Sequence, residues 1–503
     1  MSFGDFRRPA PGDHRGFSLR GLFSPKRPIP QIPAFPIATM SSQVENAEAA
    51  TGMQDSDSAT PSSESRDPAY FHYYAQFVHQ QNMLQDNVRT SAYHSAIIVN
   101  GPTMFRDKDI LDVGAGSGIL SYFAVQAGAR KVYAVEASSM AQKIRKMVDT
   151  SETKNPWMKN KIEVISSKLE DAELPQVDTL ISEPIGVLLV HERMIESYLL
   201  ARDRFLKPGG AMMPSAGTIY LAPFTDATLW TQTMSKVRFW EQSNFYRVDF
   251  SPLSSEANDE IFGQPVVGNF DHRILLAPPV SHHVDFQTIS LPELQDIVIP
   301  FTWKVPFTGL IHGIAGWFDI NLGGLILTTA PHAERTHWQQ VRFLLKEPVA
   351  VNAYQTIKGW MRLTVNTSRS YDVVAELALG EDAQLSDPRT SSAERVADLR
   401  LTPAGVGARR GEWALHEQTY MYDQGLDYSK PEFLAMYSPE NASTETGNLL
   451  GMRTDRLSGL NAGGVATPGL GWADTGLESW LDPAMEIETG EGAGADMPDL
   501  GKK

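Results

Sequence analysis

Between residues 109 and 214 the chain alternates short apolar runs with amphipathic stretches, the pattern that most restricts its fold. Short apolar runs bounded by turn formers are typical of buried strands, and the longer stretches between them are typical of helices. Such alternation predicts a parallel, doubly wound, Rossmann-like sheet. The predicted strands are 110–113, 132–135, 162–165 and 179–181, the predicted helices are 118–127, 138–150 and 192–204, and the turn that ends the block is 207–210.

After residue 214 short β-rich runs separated by turns dominate, which predicts an antiparallel β-barrel or sandwich. The predicted strands are 218–222, 274–277, 298–303, 309–319, 325–329, 339–345 and 359–365. Residues 226–250 interrupt this region with a helical and then irregular segment rich in Trp, Phe and Tyr. We interpret the segment as a dimerisation arm, and the alternative is an insertion packed on its own domain.

The two ends of the chain have little apolar periodicity. Residues 1–65 are rich in Pro, Ser, Ala and Gly, and residues 383–503 are mostly acidic and small, so both are expected to be largely disordered. Residues 66–105, helical over 70–100, are expected to form a lid. The predicted domains are therefore 66–105, a Rossmann-like domain over 106–214 and a β-barrel domain over 215–382.

Composition excludes several classes of function. The 503 residues contain no cysteine, which excludes disulfides, thiol catalysis and thiolate metal sites, and no metal site is expected. The formal charge of −16 argues against direct sequence-specific nucleic-acid binding and favours basic partners. No apolar run reaches membrane-spanning length, and the basic first thirty residues lack the apolar core of a secretory signal.

A glycine loop, LDVGAGSG at residues 111–118, follows the first predicted strand. Ile119 stands where a dinucleotide fingerprint has its third glycine, and no lysine completes a P-loop. Glu136 ends the second strand, where an acid can bind ribose hydroxyls. Because Asp112 and Glu136 bring negative charge that suits a sulfonium and an ammonium, S-adenosylmethionine is favoured over NAD. A tight turn without a ligand is the alternative.

The carboxylate loop, SEPIGVLLVHERM at residues 182–194, places two acids around an apolar middle. Paired anions walled by apolar residues are costly unless a cation lies between them, and a planar guanidinium binds carboxylates with directed hydrogen bonds. We interpret Glu183 and Glu192 as a clamp for a substrate arginine. The alternative is an exposed loop acid together with a glutamate in a first helical turn.

Together with YFHYY at 70–74, QDNVRT at 85–90 and THW at 336–338, these loops resemble the protein arginine methyltransferase family over roughly 68–380. The resemblance is strongest to the coactivator-associated, type I subgroup. It implies S-adenosylmethionine-dependent methylation of arginine in proteins such as histone H3, giving mono- and asymmetric dimethylarginine. It also implies a homodimer, a role as transcription coactivator and chromatin regulator, a place in nucleus and cytoplasm, and basic substrates such as histone tails and RNA-binding or transcription proteins.

The resemblance also implies roles for individual residues. Glu183 and Glu192 hold the substrate guanidinium between walls formed by Tyr70 and Tyr74. Arg89 pairs with the cofactor carboxylate. The catalytic group also includes His337 and Asp86, which pair and brace the carboxylate loop. The cofactor-binding residues are Gln80, Met83, Arg89, Asp112, Gly114, Gly116, Glu136, Glu170, Met194 and Ser197.

The chain departs from the family pattern at a few positions. Val187 and His191 stand where the family commonly has an aromatic residue or Met and an Asn, and Ala115 stands where it often has Cys. The first two lie between the clamp acids, so they bear on peptide preference and loop geometry. A catalytically weak scaffold and a small-molecule methyltransferase are the alternative functions.

Overall fold

The computed structural model of the chain describes residues 67–389 and 408–421. The predicted disorder of residues 1–65, and most of the predicted acidic tail, lies outside the described residues.

The N-terminal region forms three helices where the sequence suggested one helical stretch. They are α1 (Asp67–Tyr74), α2 (Phe77–Gln85) and α3 (Asn87–Val99). Asp86 causes the second break because its backbone is extended and its carboxylate accepts a 2.9 Å hydrogen bond from the Arg89 backbone N–H, as an N-cap of α3.

Five parallel strands follow, in the order β3-β2-β1-β4-β5. Alpha-helices join β1 to β2, β2 to β3 and β4 to β5, whereas only a 3₁₀ turn, Leu169–Asp171, lies between β3 and β4. The Rossmann-like fold class is confirmed. The strands are β1 (Asp109–Val113), β2 (Lys131–Val135), β3 (Ile162–Ile165), β4 (Val177–Ser182) and β5 (Leu206–Met213), and the helices are α4 (Ile119–Gln126), α5 (Met140–Asp149) and α6 (Met194–Phe205).

The turn predicted at 207–210 is wrong, because these residues lie inside β5. Val177 of β4 pairs with Leu206 of β5, and the next pair is Thr179 with Ala211. The two strands advance by two and by five residues between these pairs, so β5 bulges there. Gly209, with φ of 74°, lies in this bulge. Pro and Gly signal a bulge within a strand as readily as a turn.

The remainder forms two further sheets that are almost wholly antiparallel, as predicted. One has the order β16-β7-β12-β10-β6-β8, with β11 on β10, and the other has β15-β14-β13-β9. The strands are β6 (Ala216–Phe224), β7 (Val266–Val267), β8 (Val280–Asp285), β9 (Asp296–Lys304), β10 (Gly309–Leu322), β11 (Leu325–Thr328), β12 (Val341–Val351), β13 (Thr356–Val365), β14 (Tyr371–Leu379), β15 (Arg409–Ala414) and β16 (Thr419–Tyr420); the helices are α7 (Ala227–Phe239), α8 (Ser254–Phe262) and α9 (Leu291–Gln295).

The strand predicted at 274–277 is also wrong. His272–Ile274 is a 3₁₀ turn that Asp271 caps, and Leu275 makes only an isolated bridge to Phe224. In the two antiparallel sheets, five strands were not predicted. Of these, β7 and β16 are two residues long, β8 and β14 have polar interruptions, and β15 lies beyond the point where apolar patterning fades. The helix of the 226–250 segment is present as α7.

One apolar core runs from the parallel sheet into the antiparallel sheets. It includes Leu180 of β4, Leu188 of the carboxylate loop and Ile320 of β10. The carboxylate loop is therefore embedded where the two regions meet. In the described ranges, no helix has both the length and the apolar character that crossing a membrane requires.

Candidate active site

The glycine loop lies at the carboxyl end of β1 with glycines at its left-handed positions. Gly114, Gly116 and Gly118 have φ values of 71°, 53° and 81°. A Cβ on Gly116 would stand 3.1 Å from Gln80 Oε1, and one on Gly114 would stand 3.1 Å from Met194 Cε. The fold thus brings two predicted cofactor residues against the loop, as the resemblance implied.

Glu136 closes the same loop from the end of β2. Its carboxylate accepts a 2.8 Å hydrogen bond from the Gly116 N–H and a 2.7 Å hydrogen bond from the Ser138 N–H. These two bonds fix its orientation beside the glycines.

Asp112 lies beneath the loop and is almost completely buried. Its Oδ2 accepts a 2.7 Å hydrogen bond from Ser121 Oγ, whereas its Oδ1 has no hydrogen-bond partner among the described residues. Burial raises the pKa of Asp112 to about 7. A buried carboxylate oxygen without a donor, next to glycines that leave room, fits a ligand that carries positive charge or N–H groups.

Three other predicted cofactor residues lie on neighbouring elements. Ser197 Oγ on α6 donates a 3.2 Å hydrogen bond to Glu170 Oε1, so these two are brought together. The Met83 carbonyl at the end of α2 accepts a 3.0 Å hydrogen bond from Arg89 Nη1.

Glu183, at the start of the carboxylate loop, forms an ion pair with Arg89 of α3. The two side chains are 10% and 8% exposed. Burial lowers the pKa of Arg89. The resemblance assigned Arg89 to the cofactor carboxylate, whereas here its guanidinium meets one of the two clamp acids.

Glu192, at the other end of the loop, lies against the predicted aromatic walls. The Tyr74 hydroxyl is 2.8 Å from each Glu192 carboxylate oxygen, and the Tyr70 and Tyr74 ring centroids are 4.9 Å apart. Burial raises the pKa of Glu192, and hydrogen bonds from the two tyrosines oppose that rise. Tyr70 and Tyr74 thus both lie beside this acid.

The backbone of the carboxylate loop is strained at four residues. Leu188, Leu189, Glu192 and Arg193 all have left-handed φ values, of 53°, 71°, 70° and 57°. Non-glycine residues in this region cost free energy and persist only where the surrounding structure imposes them.

Three glycines, one within the loop and two on neighbouring strands, make room for its strained backbone. A Cβ on Gly186 would stand 2.2 Å from the His191 carbonyl oxygen, so the loop can close on itself only with glycine there. A Cβ on Gly316 of β10 would stand 2.6 Å from Leu188 Cδ1, and one on Gly217 of β6 would stand 2.6 Å from Leu189 Cδ2. The apolar middle of the loop therefore seats in two notches of the antiparallel sheet.

The Thr336-His337-Trp338 segment braces the loop from another side. Trp338 Nε1 donates a 3.1 Å hydrogen bond to the Ile185 carbonyl. His337 contacts Asp86 Oδ2 through its backbone N–H at 2.8 Å and its Nδ1 at 2.7 Å. Burial would raise the pKa of Asp86, but these bonds and the Arg89 N–H lower it, whereas burial lowers the pKa of His337.

The β13–β14 turn, residues 366–370, also contacts the carboxylate loop and was not among the predicted site residues. Arg193 Nη1 donates a 2.9 Å hydrogen bond to the Asn366 carbonyl, and His191 Nδ1 lies 2.8 Å from Ser370 Oγ. The pairs are 173 and 179 positions apart, so no short-range pattern could have found them. In the part of the chain that the structure describes, no group of three His, Asp or Glu residues is arranged to hold a metal ion.

This arrangement joins a glycine-lined cradle with negative charge to two partly buried carboxylates, one of which lies beside aromatic rings. The first part can hold a cationic cofactor, and the second can hold a planar cation through directed hydrogen bonds.

Two families match parts of the chain. Residues 215–382 match the arginine methyltransferase oligomerization subdomain, and residues 102–212 match the ribosomal protein L11 methyltransferase family.

Relatives in plants and insects match a longer stretch. A probable histone-arginine methyltransferase CARM1 from Oryza sativa subsp. indica is 47% identical over 323 residues, which are 63% of this chain and 60% of that protein. The histone-arginine methyltransferase CARMER of Drosophila persimilis is 46% identical over 353 residues, 69% of this chain and 65% of that protein. The chain thus spans somewhat under two thirds of these relatives' length.

Solved structures share the fold over 68% of this chain and 99% of theirs. Arabidopsis thaliana protein arginine methyltransferase 10 superposes with a TM-score of 0.57 at 29% identity. The Trypanosoma brucei PRMT1 enzyme–prozyme heterotetrameric complex with AdoHcy superposes with a TM-score of 0.55 at 25% identity.

Proposed function

Because the chain belongs to the protein arginine methyltransferase family, we propose that it methylates arginine side chains of proteins such as histone H3, with S-adenosylmethionine as the methyl donor. The observation that carries the proposal is the placement of two partly buried carboxylates, Glu183 and Glu192, on the loop after β4, the strand that pairs with β1 and its glycine loop. The type I activity implies monomethyl- and asymmetric dimethylarginine as products.

The residues around the glycine loop fit the cofactor. Its positive charge suits the Asp112 oxygen that has no hydrogen-bond partner within 67–389 and 408–421, and its ribose suits the Glu136 carboxylate at the end of β2. S-adenosylmethionine supplies an electrophilic methyl group on a sulfonium. Arg89 is the proposed partner of its carboxylate, and the remaining contacts are assigned to Gln80, Met83, Gly114, Gly116, Glu170, Met194 and Ser197.

The carboxylate loop has the task of orienting the substrate guanidinium. Free arginine is a poor nucleophile because its lone pairs are delocalised and its pKa is roughly 13.8. Glu183 and Glu192 draw positive charge towards the nitrogens they bind, which leaves the third nitrogen more electron-rich. Fixing the reactants in alignment contributes about 7–11 kcal/mol in favourable cases. Tyr74 holds Glu192 in place through its hydroxyl.

His337 and Asp86 act in this proposal as a brace. Their mutual hydrogen bond ties the segment before β12 to the N-cap of α3, and Trp338 carries the connection to the carboxylate loop. Met83 and Tyr73 stand at family positions that leave room for a second methyl group on the same nitrogen, in agreement with an asymmetric product.

The proposed substrates are basic protein tails, including those of histones and of RNA-binding or transcription proteins. The acidic chain suits such partners and gives no support to direct sequence-specific DNA binding. The proposal includes a chromatin-regulating coactivator role and residence in both nucleus and cytoplasm.

Substituting the clamp acids tests the function. Glu183→Gln and Glu192→Gln should each lower methyl transfer to a histone H3 peptide by about a hundredfold to a thousandfold, because an amide no longer attracts the guanidinium charge. Transfer is measured with radiolabelled donor, and the product is identified by mass spectrometry. Cofactor affinity, measured by calorimetry, should persist.

Glu163→Gln is the matched control, since this glutamate of β3 is largely exposed and pairs with Lys131. Ordinary methylation by Glu183→Gln would contradict the clamp. Absence of transfer by the wild-type protein, with cofactor binding intact, would favour the scaffold alternative.

We also propose a homodimer formed through the 226–250 segment. At the end of α7 and beyond it, the segment exposes a cluster of apolar side chains: Phe239 is 41% exposed, Tyr246 88% and Val248 50%. Exposed patches of this kind mark interfaces. Sedimentation at micromolar concentration should give a dimer, and Tyr246→Ser with Val248→Ser should shift it to monomer. A wild-type monomer would contradict the proposal.

A further inference from the structure

The β13–β14 turn holds Arg369 in a defined position. Arg369 has a left-handed φ of 52°. Asn366 stabilises the turn around it, since its Oδ1 accepts hydrogen bonds of 2.9 Å from the Ser368 N–H and 3.1 Å from the Ser370 N–H. A non-glycine residue keeps such a backbone only when its surroundings fix it.

Two contacts fasten this turn to the carboxylate loop on either side of Glu192. His191 reaches Ser370, which is fully buried, and Arg193 reaches the Asn366 carbonyl. These contacts tie the turn to the loop, so they set the position of Arg369 relative to Glu192.

The Arg369 side chain lies on the wall of the guanidinium site. Its Cζ is 4.4 Å from the centre of the Tyr70 ring, within the range of a cation–π contact. Tyr70 packs against Tyr74, whose hydroxyl meets Glu192. The positive charge of Arg369 is among the groups that oppose the burial-driven rise in the pKa of Glu192, so the charge is felt at the clamp.

The positive charge of Arg369 lies beside the proposed site for a substrate guanidinium, so it acts on the residues that flank the target arginine. Arg369 is only partly buried, so a peptide that enters beside Tyr70 comes within range of its charge. Charges closer than about 8–10 Å are incompletely screened at physiological salt. Cationic residues next to the target arginine are repelled there, and anionic ones are attracted.

We propose that Arg369 is a specificity-determining residue, whose fixed charge beside Tyr70 selects target arginines with neutral or acidic neighbours over those flanked by Lys or Arg. This inference rests on the proposed arginine methyltransferase function and narrows its substrate class. Within a basic tail, it singles out arginines in locally uncharged or acidic surroundings.

The test compares peptides that share one target arginine and differ only in its adjacent residues, which are Gln, Glu or Lys. The wild-type protein should show a kcat/KM roughly threefold to fivefold higher for the Glu than for the Lys peptide, as expected for a partly screened charge pair. Arg369→Gln should abolish this ratio. Arg369→Lys, which keeps the charge, should retain most of it, and added salt should reduce it.

Arg130→Gln is the matched control, because it removes a largely exposed arginine paired with Asp109 at the edge of the parallel sheet. Its ratio should equal that of the wild-type protein. The Gln peptide reports on the proposed function independently, because its neighbours carry no charge.

The two proposals fail differently. Equal kcat/KM of the wild-type protein for all three peptides overturns the role of Arg369 and leaves the methyltransferase function standing. A uniform rise for all peptides in Arg369→Gln also overturns it, since that result means simple competition for the clamp. No transfer to the Gln peptide by the wild-type protein overturns the proposed function itself.

Discussion

The glycine loop and the carboxylate loop both turn the chain at the carboxyl end of a parallel strand, but they do so by different means. The glycine loop places left-handed residues at Gly114, Gly116 and Gly118. The carboxylate loop places them at leucine, glutamate and arginine. Glycine adopts this conformation at little cost, whereas other residues lose about 1–2 kcal/mol each.

The difference shows where each loop obtains its shape. Local conformational preference supports the glycine loop, so its form is encoded within its own residues. Four strained residues in the carboxylate loop together cost several kcal/mol on the same scale. Contacts with β6, β10, Trp338 and the β13–β14 turn must offset that cost. Its shape is thus imposed by the antiparallel region.

The largest expected effect comes from Gly186→Ala, which attacks the closure of the carboxylate loop. The new Cβ would stand 2.2 Å from the His191 carbonyl oxygen, which is backbone and cannot rotate away. We expect a loss of about 3 kcal/mol or more in the free energy of unfolding, as for other severe overpacking. Denaturant titration measures the loss, and methyl transfer should fall with it.

Gly309→Ala is the control, because no atom in the described part of the chain lies within 4 Å of a Cβ there and its φ is not left-handed. It should change stability by less than about 0.5 kcal/mol, as surface substitutions do. Equal stability of the two variants would break the comparison, because it would mean that the carboxylate loop can relax without its tertiary supports.

The same contrast explains what the sequence could predict. The parallel sheet, the glycine loop and the positions of Glu136 and Glu183 depend on periodicity and on residues close in sequence, and the fold class was predicted from them. The Arg89–Glu183 pair and the His191–Ser370 contact join distant segments, and the β5 bulge depends on pairing with β4. No local pattern specifies such contacts.

A smaller effect is expected from Gly116→Ala in the glycine loop. Alanine at φ of 53° loses about 1–2 kcal/mol, and its Cβ would stand 3.1 Å from Gln80 Oε1. Calorimetric titration with S-adenosylmethionine should show weaker binding by roughly tenfold, because the new Cβ presses on Gln80 at the place where the ligand approaches the backbone. Thermal unfolding of the ligand-free protein reports the strain separately.

Gly209→Ala is a control that introduces similar backbone strain without a new contact. Its φ of 74° is similarly left-handed, but no atom of the described residues lies within 4 Å of a Cβ there. It should lose similar stability without losing cofactor affinity. If it weakened the cofactor as much as Gly116→Ala, the glycine loop would not be the place where backbone and ligand approach.

The smallest expected effect is on the pH dependence of stability, which His191 of the carboxylate loop and Asp112 of the glycine loop should change in opposite directions. Burial lowers the pKa of His191 to about 4, against roughly 6.5 when unfolded. Between pH 4 and pH 6.5 the imidazole is protonated in the unfolded chain but not in the folded state. The free energy of unfolding therefore declines as pH falls below about 6.5. Burial raises the pKa of Asp112 to about 7, so there the folded state holds the proton and stability declines as pH rises from about 4.

Each response should disappear with its own residue. When pH falls from 7 to 5.5, the wild-type protein should lose about 1 kcal/mol of its free energy of unfolding through His191, and His191→Asn should remove this loss. Over the same range Asp112 should raise the free energy of unfolding by a similar amount, and Asp112→Asn should remove this gain. Denaturant unfolding of the ligand-free protein at the two pH values measures both. A pH dependence unchanged by His191→Asn would mean that the carboxylate loop opens to water around this histidine. In that case the contacts with the β13–β14 turn do not impose the loop's shape, and the contrast with the glycine loop fails.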